Sequence, residues 1–289
     1  MKYESAAADE YEKNKPTQTI GRVVSVGREL MVLIIPSIPI QHGLCGGQIG
    51  ALAHETHFAE RDIYSQDPVD RARLLRRENS KMINLQFFDS DQWDAESLAL
   101  IRRMRAAVDV PLCASLSEAP RHRNDCRTML EAGIYRIFLP LDTPEELFLT
   151  YCDTFTSRKI IPTVDLTFDF AANLPLYQQR KIERLAIDIS PRDALETNGM
   201  EWQKLAAIGQ LAHLHKIQLT VLHGVRGYPE LKHLQELGNA FDSLVLCRAL
   251  NENRFPCQLI WREVEAQAAL EASPASNLWT DPLAGKPHI

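Results

Sequence analysis

No glycine-rich dinucleotide fingerprint follows the first apolar segment of this 289-residue chain, no basic stripe stands out, and no two cysteines have CxxC spacing. Each absence removes a class. Without G-x-G-x-x-G after a first strand, a dinucleotide-binding doubly wound sheet loses its main support. A net charge of −6 with no clustered lysine or arginine argues against nucleic acid as a partner. The six cysteines, Cys45, Cys113, Cys126, Cys152, Cys247 and Cys257, are scattered, which speaks for buried thiols over a disulfide framework or a zinc ribbon.

Long apolar runs are missing too. The longest, Met31 to Ile40, is broken by Pro36, Ser37 and Pro39 and is too short to span a bilayer. The first twenty residues mix acids and lysines without an apolar core, so neither a signal peptide nor an anchor is expected, and a cytoplasmic protein with no membrane partner is.

The composition that remains, 45% hydrophobic and 24% charged, is that of an ordinary globular protein. Short β-branched runs alternate with amphipathic helical patterns from Met31 onward. The expected strands are Met31–Ile35, Met82–Phe88, Val110–Ala114, Ile134–Leu139, Ile160–Asp165, Arg184–Ile189, Ile217–Leu222 and Phe241–Leu246. Helix starts are marked by Asp67 before Pro68 and by Thr143 before Pro144, and a further helix is expected from Pro175 to Lys181. Gly133 and Gly238 sit where left-handed C-caps belong.

Eight such units predict an α/β protein with a single (β/α)8 TIM barrel over residues 31–271, a short N-terminal extension over 1–30 and a C-terminal tail over 272–289. An open α/β sheet is the alternative. A faint echo between MLEAGIYRIFL at Met129 and LQELGNAFDSLVL at Leu234 suggests two half-barrels. GRVVSVGREL, from Gly21, is read as a short hairpin over the barrel floor.

The segment HGVRGYPELKHLQELGNAFDSLVLCRALNENRF, from His223, resembles the seventh and eighth units of the ProFAR isomerase family of histidine biosynthesis, which end in an SGGV turn, a helix and a strand running into VGRAL. IPSIPIQHGLCGG at Ile35 resembles that family's IPAID and DGKCV opening, and IYSQDPVDRA at Ile63 its YSDDPVE helix start. VDVPL, LEAGIYRIFL, PTVDL and IDISPRD follow in family order, so the resemblance runs from Met31 to about Phe255.

The resemblance implies an acid and base pair after the first and fifth strands, and two phosphate sites made by glycine turns. Asp165 supplies the fifth-strand acid, but the first-strand acid aligns with Pro39, which transfers no proton. No glycine occurs between Gly50 and Gly133, so the phosphate site after the third and fourth strands is missing. The site after the seventh and eighth strands is half kept: Gly224, with Arg226 or Arg248, would hold one phosphate, unless Gly224 only makes the turn.

Asp89 after the second strand and Asp188 after the sixth persist. Each of Asp89, Asp165 and Asp188 has the alternative role of capping a helix or a turn. His42 and His223 are placed in loops at the same face, and His223 with Asp165 is the preferred catalytic pair if chemistry survives; two exposed loop histidines are the bland alternative. The spacing His42, Cys45, His54, His57 would suit zinc, but Cys45 matches a cysteine frequent in the metal-free family, so neither metal nor cofactor is expected.

Three functions are therefore carried forward. One is a diverged isomerase or lyase on a small phosphorylated, sugar-type ligand; another is a non-catalytic barrel that binds a ligand, or a protein through its termini; the third is the family's own isomerase.

Overall fold

The computed structural model describes residues 32–45, 67–88, 93–189, 199–225, 227–237 and 240–251. The terminal extension and tail, the GRVVSVGREL hairpin, the C-cap at Gly238 and Cys257 lie outside them.

Eight parallel strands form the sheet: β1 Leu33–Gln41, β2 Ile83–Phe87, β3 Leu112–Ser115, β4 Ile134–Phe138, β5 Ile160–Ile161 with Thr163–Asp165, β6 Arg184–Asp188, β7 Gln218–Leu222 and β8 Phe241–Leu246. Each pairs with the next, and β8 returns to β1. The ring's join lies in β5, which pairs with β4 before Pro162 and with β6 after it. Pro39 is in register with Gln86, Ser115, Phe138 and Ile161 in turn. Two residues further up β5, Thr163 is in register with Ala186, Thr220, Ser243 and finally Leu33. The circuit thus returns to β1 six residues below Pro39 after a two-residue rise, which is the shear of eight of a closed (β/α)8 barrel.

The helices alternate with the strands: α1 Pro68–Arg77, α2 Ala95–Ala107, α3 Arg123–Ala132, α4 Glu145–Phe155, α5 Phe170–Gln179, α6 Gly199–Leu214, α7 Tyr228–Glu236 and the short α8 Arg248–Asn251. Asp67 caps α1 through Val69 N and Asp94 caps α2 through Ser97 N, each satisfying a donor that the first turn leaves unpaired. Gly133 closes α3 in left-handed backbone, φ 118°.

Three expectations are corrected. β1 runs on to Gln41 and turns at His42 and Gly43 into a two-residue antiparallel strand, Leu44–Cys45. Pro36 is tolerated because Leu33–Pro36 pair with β8 and Ser37–Ile40 with β2, so that it falls at the change of partner. α4 begins after Pro144, and Thr143 donates its Oγ1 to Pro140 O instead of capping the helix. α5 begins at Phe170, capped by Asp169 through Ala172 N, and Pro175 lies inside it.

Side chains divide by alternation. Ile38, Ile40, Leu85, Phe87, Ile187 and Val221 face the helices in a continuous core. Ile35, Cys113, Phe138, Ile161, Leu222 and Val245 fill the barrel's interior. The interior also carries polar groups. At its floor Arg184 Nη1 donates to Asp242 Oδ1 at 2.6 Å and to Thr220 Oγ1 at 3.1 Å, and Nη2 reaches Asp242 Oδ2. Asp242 is the extra residue of a bulge between Phe241 and Ser243, a device that re-aims a side chain. Among the cysteines, Cys45, Cys113, Cys126 and Cys152 are buried thiols pushed up to about 12 by desolvation, as scattered spacing implied.

Candidate active site at the barrel mouth

In a (β/α)8 barrel of shear eight, axial height advances one residue per strand relative to the hydrogen-bond register, so inward side chains stack in layers drawn from alternate strands. At the carboxyl ends this places Pro39 of β1 level with Asp165 of β5, on opposite walls of the mouth. Gln86 of β2 and Asp188 of β6 occupy the layer directly beneath, again opposite one another. Register makes the walls pairs: Pro39 stands beside Gln86, and Asp165 beside Asp188. One wall carries two carboxylates; the other carries a pyrrolidine and an uncharged amide.

Adjacent parallel strands lie about 4.8 Å apart, so the Asp165 and Asp188 side chains leave neighbouring strands side by side. Asp165 Oδ1 accepts from Thr167 N at 2.8 Å and from Thr167 Oγ1 at 2.6 Å, an Asx-turn that fixes the carboxylate's orientation at the rim. His223 is not the neighbour of Asp165. Asp188 is in register with Leu222, and β6 separates β7 from β5. His223 follows Leu222 in left-handed backbone, φ 56°, so strand alternation no longer directs its ring. His42, exposed in the turn after β1 at φ 50°, is separated from β7 by β8.

The turn that the resemblance assigned to phosphate begins just past β7. Gly224 has φ 75°, and a Cβ there would lie 2.5 Å from Ile189 Cγ1 and 2.8 Å from Ile189 O, so glycine is required by backbone and by packing together. β8 runs directly into α8 through buried Cys247. Arg226, Asp89 and the side chain of Arg248 lie outside the described residues, as do His54 and His57 of the zinc spacing; among the described residues no three metal-ligating side chains cluster. The loop after β4 closes on itself, Thr143 donating both N and Oγ1 to Pro140 O, at 3.1 and 2.7 Å, a turn built without glycine.

No family model matches the chain. Curated relatives do. The chain is 27% identical over 250 residues to the 1-(5-phosphoribosyl)-5-((5-phosphoribosylamino)methylideneamino) imidazole-4-carboxamide isomerase of Salinibacter ruber, covering 80% of this chain and 93% of that one. The isomerases of the same name from Chloroherpeton thalassium and Chlorobium luteolum are 25% and 26% identical, over 84% and 83% of this chain and 95% and 96% of theirs. The chain is a divergent relative of these ProFAR isomerases. Among the described residues, no helix is long and apolar enough to cross a membrane.

Sequence reasoning named Asp165, Asp188 and Gly224 as candidates and passed over Gln86. In MINLQFF a single glutamine inside an apolar run carries no motif; only the register with Pro39 gives it a place at the mouth.

Proposed function

We propose that this barrel has left the isomerisation of its relatives and handles a small ligand with a single phosphate. The carrying observation is Pro39, buried on β1 level with Asp165: the position facing the remaining acid has no ionisable group. An Amadori-type rearrangement moves a proton at two centres, and one wall of this mouth offers nothing to move it. Asp165 with Asp188 remains a carboxylate pair suited to acid and base steps in an isomerase or lyase reaction on one side of a ligand. The phosphate is assigned to the turn at Gly224 and to Arg226 or Arg248, since the loops after β3 and β4 lack the glycines for a second anion site.

The test is growth. Expressed in a histidine auxotroph lacking the isomerase, the chain leaves the cells dependent on histidine; robust growth without it overturns the proposal and restores the relatives' own activity, the reading that their shared name favours. A binding barrel without turnover is favoured by one contact, the engagement of Asp165 Oδ1 by Thr167. Asp165→Asn separates the two, because asparagine keeps the turn's acceptor and removes the proton-transfer group: ligand binding is expected to weaken but persist in both cases, with loss of turnover only in the enzyme.

A further inference from the structure

Among the described residues, two inward polar atoms of the barrel's upper interior have no hydrogen-bond partner: Gln86 Oε1 and Thr163 Oγ1. Their neighbours are satisfied. Asn84 Nδ2 donates to Ser37 Oγ at 2.8 Å, and Ser115 Oγ donates to Asn84 Oδ1 at 3.2 Å, closing a small network across β1, β2 and β3 just below Gln86. Gln86 is only 8% exposed, yet its amide stays outside that network. A buried amide oxygen without a partner costs roughly 1–3 kcal/mol, and apolar residues fill the inward positions just beneath that layer at Phe138, Leu222 and Val245. Such a group persists where something else pairs with it.

We infer that Gln86 is the ligand-reading residue of this mouth, its carboxamide binding hydroxyl groups of a polyhydroxylated monophosphate, with Thr163 below and the Asp165 and Asp188 carboxylates opposite. The inference rests on the single-phosphate reading above. Every side chain involved accepts hydrogen bonds: the two carboxylates, the glutamine oxygen and the threonine oxygen. A ligand that pairs with the glutamine and threonine oxygens carries donors of its own, such as the hydroxyl groups of a sugar phosphate. Gln86 also stands beside Pro39, so the wall that lost a proton-transferring group keeps one that recognises without reacting. This is a positioning and specificity role.

Thermal-shift titration of the full chain with inorganic phosphate and with ribose 5-phosphate tests it. Wild type is expected to bind ribose 5-phosphate more tightly than phosphate. Gln86→Met, close in volume and without polar atoms, should weaken ribose 5-phosphate by about tenfold while phosphate binding is retained. With no ligand, the same variant should melt at or above the wild-type temperature, because an unpaired amide has been removed. A melting temperature several degrees lower shows that Gln86 serves the fold, and overturns the inference. Equal binding of the two probes by wild type, or an unchanged ribose 5-phosphate affinity in Gln86→Met, overturns it as well. Failure of phosphate alone to bind wild type is a different result, which removes the anion site at Gly224 and with it the reading on which this one rests.

Discussion

Two glycines of the mouth share a backbone conformation but not an environment, and comparing them isolates what Gly224 does. Gly43 has φ 71° and open space where a Cβ would sit, with no atom within 4 Å, whereas at Gly224, φ 75°, a methyl group meets the Ile189 side chain and carbonyl. Gly43→Ala should therefore cost only the left-handed strain, about 1 kcal/mol. Gly224→Ala adds an overlap with backbone that cannot swing away, and about 3 kcal/mol is expected. Urea unfolding of both variants checks the difference; equal losses would mean that the β7 loop yields, and that close packing on Ile189 is not what keeps glycine there. The two uses of Gly224 could not be told apart from sequence. A turn glycine and a phosphate glycine demand the same φ, and the contact with Ile189, far away along the chain, leaves no local mark.

At the scale of elements, the ion pair at the barrel floor ties together three strands that the mouth depends on. Arg184 of β6 meets Asp242 of β8 in a two-pronged contact and also reaches Thr220 of β7; its side chain is 6% exposed. Asp242→Ala leaves a buried guanidinium with only neutral partners, and a loss of about 3 kcal/mol is expected. Arg184→Met with Asp242→Leu removes both charges and should lose less than the single change. A loss below about 1 kcal/mol in Asp242→Ala would show that the pair behaves as a surface bridge. Strand and helix identity were readable here from period alone, and all eight strands lie where apolar runs place them. What was not readable came from tertiary context: Pro175 reads locally as a helix start, yet Asp169 caps the helix well before it; Pro36 reads as a strand end, yet β1 passes through it by changing partners.

For the whole molecule, the losses and the survivals divide by half-barrel. Pro39 and the glycine-free stretch from residue 51 to 132 belong to the first four units; Asp165, Asp188 and Gly224 belong to the last four. The echo between Met129 and Leu234 joins α3 and β4 to α7 and β8, elements four units apart, as two related halves require. The proposed mouth thus has one acidic wall opposite a neutral one, and supplying a single group should not supply a two-sided reaction. Pro39→Asp returns a carboxylate to the level of Asp165 and a backbone N–H to β1, so the variant should fold. It should still fail to rescue a histidine auxotroph lacking the isomerase, because the loops after β3 and β4 offer no glycine turn for the second phosphate, and a bisphosphate held at one end only is not positioned for proton transfer. Rescue by Pro39→Asp alone would place the divergence in one residue and show that the first half of the barrel still binds phosphate without glycine.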